Sequence, residues 1–311
     1  MGKIEAARHK WGGIHGTRLP QSTGTDRIEG GSAVIEGFAG ALVRAILVVV
    51  VVATPSILLP SVSTDTQQVV ALIALFAAAL AFVEYKSEFP TVIEFRDAPP
   101  LNRVRFVMLF ATVLGLSLIE RGRIEPSSIT ELAHAFGRLI GQAMDFPYSP
   151  VRLATLMLSE GASPEQVEAV RDAAGLAYLT SLFSLCIFVI LIKAGSWPMR
   201  DRPFNVWTNL PTFNPSAGGD VVARLERDAR INIGLGFLLP FVIPFVISLN
   251  TAGLNPISMT SPQTLIWTMT TWAFLPASLF MRGIAMGRIA EMIRDMRKAR
   301  NPGKDRSFAP V

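Results

Sequence analysis

Ile231-Asn-Ile-Gly-Leu-Gly-Phe-Leu-Leu-Pro-Phe-Val-Ile-Pro-Phe-Val-Ile-Ser-Leu-Asn250 opens a 51-residue stretch, 231–281, that contains no Asp, Glu, Lys or Arg. A hydrocarbon core of roughly 30 Å takes about 20 apolar residues in a helix, because every backbone group must be paired within the segment. The stretch is therefore long enough for two crossings, and Gly253, Asn255, Pro256 and Pro262 supply the turn between them. Outward from it, uncharged windows at 45–64, 66–83, 106–119 and 173–192 bring the total to six spans, at about 38–60, 69–85, 104–119, 176–192, 231–249 and 264–281. The expected fold is an all-α, polytopic transmembrane bundle with an extracytoplasmic helical cap between spans three and four. Span three is short and relies on Arg103, Arg105, Glu120 and Arg121 reaching out to headgroups at its ends.

Composition agrees with this reading. Half of the chain is hydrophobic, 17% is charged and mean hydropathy is +0.41, whereas soluble domains carry roughly 25% charge. A soluble enzyme, a secreted disulfide scaffold and a disordered chain are excluded. The single cysteine, Cys186, lies within an apolar run, so neither an intrachain disulfide nor a cysteine metal cluster is possible.

Basic residues accumulate in short cytoplasmic loops, and 23 of the 29 Lys and Arg fall on one side if the amino terminus is inside. Both termini are then cytoplasmic. The segments are an N-terminal region 1–32, expected to be flexible, a membrane domain 33–300 with an outer segment 120–175 and an inner loop 193–230, and a tail 301–311. No apolar run suited to a cleavable signal occurs in 1–32, so span one serves as an uncleaved anchor. A bacterial inner (plasma) membrane is the expected location. The net charge of +5 calls for no nucleic acid; the lipid bilayer and its anionic headgroups at the cytoplasmic face are the expected counterpart.

Within 120–175, Ser128 and Glu131 fit a capping box, followed by Ile129, Leu132, Ala133, Phe136, Leu139, Ile140 and Ala143 on one helical face. A short helix with Val151, Ala154, Met157 and Leu158 comes next. Ser163 then caps a third helix, with Pro164 in its first turn, that runs on into span four. This pattern suits helices lying on the membrane or packed over the bundle, and the packed cap is preferred. On the inner side, span six is expected to continue as one helix to about Arg300, with Glu291 and Arg294 at ion-pair spacing.

Catalytic signals are sparse. The three histidines, His9, His15 and His134, lie outside the spans, and no Gly-x-Ser-x-Gly elbow, phosphate loop or dinucleotide fingerprint occurs. No cofactor or metal is expected, and an enzyme is disfavoured, surviving only as lipid-modifying chemistry on unobvious carboxylates. Asn214-Pro-Ser216-Ala-Gly-Gly219 matches half of a signature seen in cyclic-dinucleotide-binding barrels but lacks its Arg-x-x-x-Arg companion upstream. It reads better as a turn that caps the next helix, with Asp220 at its start.

Charges within spans are functional candidates because hydrocarbon disfavours them. Arg44 lies in span one, and a buried Arg44–Glu84 pair is the preferred contact. Pro55, Pro240, Pro244 and Pro276 interrupt spans, as transporter helices do at substrate sites. A sequence echo is more distinctive: Arg96-Asp97-x-Pro-x-x-Asn102-Arg103 before span three and Arg200-Asp201-Arg202-Pro-x-Asn205 after span four. Both copies fall on the inner face and could form one platform. Two readings follow: a non-catalytic accessory or assembly component of a larger membrane complex, with a membrane-protein partner, or a small-solute transporter or channel.

Overall fold

The computed structural model describes residues 24–96, 99–159, 161–195, 197, 209–214, 218–251, 259 and 261–300. Among the described residues every regular element is helical: α1 Gly24–Leu58, α2 Thr64–Lys86, α3 Pro99–Ile124, α4 Ser128–Met144, α5 Pro150–Ala154 with a 3₁₀ turn Thr155–Met157, α6 Pro164–Ala194, α7 Val221–Thr251 and α8 Pro262–Arg300. Helices α1, α2, α3, α6, α7 and α8 are long and apolar enough to cross a bilayer. The six-span helical bundle expected from the uncharged windows is therefore the architecture found. Most helices overrun those windows, because backbone hydrogen bonding continues past the point where charge begins.

Helix starts carry their signals plainly. Prolines open α3, α5, α6 and α8, where a missing N–H is no loss. Ser63, Ser127, Ser149 and Ser163 cap α2, α4, α5 and α6. The α4 capping box is built from Ser127 and Thr130, not from Ser128 and Glu131. With Ser127 as the cap, Glu131 falls one residue beyond the position that can reach back, and the Thr130 hydroxyl accepts the Ser127 N–H at 2.8 Å instead.

Packing is closest between α7 and α8. A Cβ on Gly236 would lie 2.7 Å from the Pro276 carbonyl oxygen, and one on Gly283 would lie 2.7 Å from that of Ala229; small residues let membrane helices approach in this way. By contrast α2 packs on α1 alone among the described elements, leaving Leu72, Leu75 and Phe76 exposed where lipid would lie. Two apolar cores result. Phe95, Leu101, Met108, Phe188, Leu225 and Met281 fill the end where α3 begins and α6 finishes, here the loop end. Val113, Leu116, Val151, Met157, Ile266 and Trp272 fill the opposite, cap end.

The cap differs from expectation in the face it uses. Helix α4 packs against α3 and α6 through Thr130, Gly137, Ile140 and Gly141, whereas Ile129, Leu132, Phe136 and Leu139 are exposed. Around the helix, the small-residue stripe, the apolar stripe and a polar stripe with Glu131, Arg138 and Gln142 occupy three separate sectors. A helix fixed sideways on the bundle, with one free face apolar and the other polar, suits the boundary between hydrocarbon and water. Apart from Ile140, apolar periodicity marked the exposed side; the packing face is written largely in glycines.

Helix α6 is continuous from its Ser163 cap through the membrane, and α8 runs unbroken to Arg300, as read from sequence. At 39 residues α8 is about 58 Å long, roughly twice the hydrocarbon thickness. Its ion pairs are rearranged: Glu291 takes Arg288 at 2.8 Å, while Arg294 and Arg297 reach across to Glu226 and Asp220 on and before α7.

Candidate functional site

Polar groups gather at both ends of α3. At the loop end, the segment after α2 wraps around the Glu84 carboxylate, which accepts the N–H groups of Thr91, Val92 and Ile93 at 2.9, 2.8 and 3.1 Å and the Thr91 hydroxyl at 2.6 Å. Arg44 does not pair with it. Its guanidinium lies 4.6 Å from the ring centre of Tyr85, so the expected buried ion pair is replaced by a cation–π contact and a carboxylate-capped turn. Three successive backbone donors and a hydroxyl thus converge on Glu84 in place of the guanidinium.

Beyond this turn the chain passes through Phe95, fully buried at φ +53°, a backbone region costly for a bulky side chain. Three hydrogen bonds hold it. Asn102 Nδ2 donates to the carbonyls of Glu94 and Phe95, both at 3.0 Å, and the Phe95 N–H donates to the Asn209 carbonyl at 2.7 Å. Glu94, displayed beside the strained residue, receives Arg282 Nε at 2.5 Å, Arg282 Nη2 at 2.8 Å and the Thr212 hydroxyl at 2.6 Å. Burial alone would raise the Glu94 carboxyl; the Arg282 and Thr212 hydrogen bonds outweigh it and hold the group below the usual carboxylate range.

The two interhelical loops of the sequence echo thus meet in space through Glu94, Phe95, Asn209 and Thr212. Of the residues that carry the echo, Arg96 donates to the Ser87 carbonyl, Asn102 pins the strained turn, and Arg103 is exposed. Asp97, Arg200, Asp201, Arg202 and Asn205 lie outside the described residues, as do the segments 1–23 and 301–311. Glu94, Phe95, Thr212 and Arg282 were missed by sequence reading. One signal was available: Arg282 is the first charge after the 51-residue uncharged stretch, so its guanidinium falls where a buried partner is needed.

At the cap end, Glu120 does not reach out to headgroups. It is buried, with Arg123 Nε at 3.2 Å from its Oε1. Asp172 on α6 is fully buried, and neither of its carboxylate oxygens has a hydrogen-bond partner. Arg171 Nε stands 3.7 Å from Oδ1, outside hydrogen-bond range. The glycine contact of α4 buries it: a Cβ on Gly141 would lie 2.8 Å from Asp172 Oδ1, and one on Gly175 2.6 Å from the Gly141 Cα. A cleft of about 670 Å³ lined by Arg123, Thr130, His134 and Arg138 opens beside this contact, and Arg138 bridges α4 to Glu168 of α6 at 3.2 Å. Among the described residues no group of three or more His, Cys, Asp or Glu is placed to hold a metal ion.

One proline break is closed from within. Pro244 has no N–H for the carbonyl of Pro240, and Trp272 Nε1 donates to that oxygen at 3.2 Å. The group that a transporter would offer to a solute is already occupied at this position.

None of the family models, curated proteins or solved structures compared with the chain matches it. Its class rests on the structure: a polytopic, all-helical membrane protein with six candidate spans, in contact with a lipid bilayer.

Proposed function

We propose that the chain is a non-catalytic accessory or assembly component of a larger complex in a bacterial inner membrane, with both termini cytoplasmic, and that it acts through its loop end. The one-sided placement of 23 of 29 basic residues supports the orientation. The observation that carries the reading is the bracing of the loop end by hydrogen bonds and ion pairs. Glu94, Arg282 and Thr212 bind two loops to α8, and Glu226–Arg294 and Asp220–Arg297 brace the helix where it leaves the bilayer. A long helix tied to α7 by these pairs presents a preformed surface at little ordering cost to a partner. The test is a photo-cross-linking residue at Met296, on the exposed side of α8, activated in the native membrane. One protein adduct of defined mass supports the reading; lipid adducts alone overturn it.

Transport is the second reading, favoured by the buried pair of acids Glu120 and Asp172, since ionisable groups buried in membrane proteins often mark ion or proton paths. Ion flux into proteoliposomes under a pH gradient, abolished by Asp172→Asn and Glu120→Gln, would establish it over the first.

A further inference from the structure

Helices α6 and α7 both lean on α8, but no Cα of one comes within 8 Å of a Cα of the other among the described residues. The gap between them is a groove of about 720 Å³ with α8 as its floor. Its level in the membrane follows from the sequence. Lys193 is the first charge after the uncharged run 173–192, and Arg230 is the last before 231–281, so both stand where hydrocarbon gives way to water, on opposite walls of one groove. Below them the lining is apolar, with Ile192, Ile233 and Ile284.

The floor is kept open by a missing side chain. A Cβ on Gly287 would meet only the Ala229 Cβ, at 3.9 Å. Charge in the groove is unbalanced as well. Of its four cations, Arg288 is taken by Glu291 and Arg294 by Glu226, whereas Lys193 and Arg230 have no acidic partner among the described residues. Two uncompensated cations above an apolar slot open to the bilayer match a phosphate headgroup with an acyl chain beneath it. A soluble anion would have no use for the apolar part.

We propose that the groove between α6 and α7, floored by Gly287, binds one anionic phospholipid, with Lys193 and Arg230 on its phosphate. This is a defined site, separate from the diffuse attraction of a basic surface to anionic lipid, and it requires no protein partner.

The test uses the full chain, delipidated in mild detergent and titrated with phosphatidylglycerol, with phosphatidylcholine and with soluble glycerol phosphate, binding being read by native mass spectrometry and thermal shift. Phosphatidylglycerol is expected to bind one to one and to raise the melting temperature, while the other two do neither. The double variant Lys193→Gln, Arg230→Gln is expected to bind it about 30-fold more weakly, each cation near an anionic headgroup being worth roughly fivefold. Gly287→Leu, which fills the slot and leaves the rim charges in place, is expected to abolish the one-to-one species. Equal binding of phosphatidylcholine, equal protection by glycerol phosphate, or unchanged affinity in the double variant would each overturn the site. The rim variant lies on exposed side chains, so the proposal stays testable even where the glycine variant fails to fold.

Discussion

Glu94 is largely and Asp172 wholly removed from solvent, yet their surroundings are opposite. Each Glu94 oxygen accepts from Arg282, and one accepts from Thr212 as well; neither Asp172 oxygen accepts a hydrogen bond from the protein, and Arg171 stands off at 3.7 Å from Oδ1. Glu94 fastens two loops to α8, so its burial is offset by the bonds it makes. Asp172 lies under a glycine contact between α4 and α6 that gains nothing visible from the carboxylate. Buried groups without a hydrogen-bond partner call for an explanation of their own: Asp172 has only the Arg171 charge beside it, whereas Glu94 is fastened through both oxygens.

The comparison can be broken at the loop end first. Glu94→Ala leaves the Arg282 guanidinium half-buried without its counter-charge and is expected to lower stability by about 3 kcal/mol, read as thermal unfolding in detergent; a loss indistinguishable from zero would reduce the junction to surface decoration. Acid gives an independent reading. Because the folded state holds the Glu94 carboxyl below its ordinary value of 4.5, the unfolded chain takes up the proton first as pH falls. The contribution is complete above that value and disappears as pH drops through the lowered one. Glu94→Gln is expected to lack this acid-dependent part.

At the cap end, Gly175→Leu drives a side chain into the Gly141 backbone and is expected to cost about 1–3 kcal/mol, with α4 becoming the first site of limited proteolysis. Gly234→Leu, at a position with nothing within 4 Å of a Cβ, is the control and is expected to be neutral. Ser127→Ala removes the α4 cap and is expected to cost about 1 kcal/mol. The smallest change sharpens the contrast most: Asp172→Asn is expected to leave stability unchanged or raise it by up to about 1 kcal/mol, the reverse of Glu94→Gln. A clear loss of stability in Asp172→Asn would mean that the Arg171 contact at 3.7 Å is a structural ion pair, and the distinction between the two ends would fall.

Much of the architecture was legible in one dimension. The six spans, the continuous α6 and the long α8 follow from where charge is absent, and the Ser163 cap from local hydrogen-bonding chemistry. The α4 capping box was misplaced by one residue because Ser127 and Ser128 are both good caps, and only the entering backbone chooses between them. The sites were far less legible. Arg44 and Glu84 lie close enough to suggest a pair, but the donors of 91–93 compete for Glu84, and their approach depends on how the chain turns after α2.

By itself the sequence determined that this protein is a helical membrane protein of six spans, because the cost of charge and of unpaired backbone in hydrocarbon acts residue by residue along the chain. Only the tertiary structure decided that α4 packs on its glycines with its apolar stripe outward, that Glu94 finds Arg282 188 positions away, and that Lys193 and Arg230 face one groove. In lipid the apolar effect does not distinguish one helix face from another, so close packing and the pairing of distant polar groups make that choice, and both exist only once the helices have met.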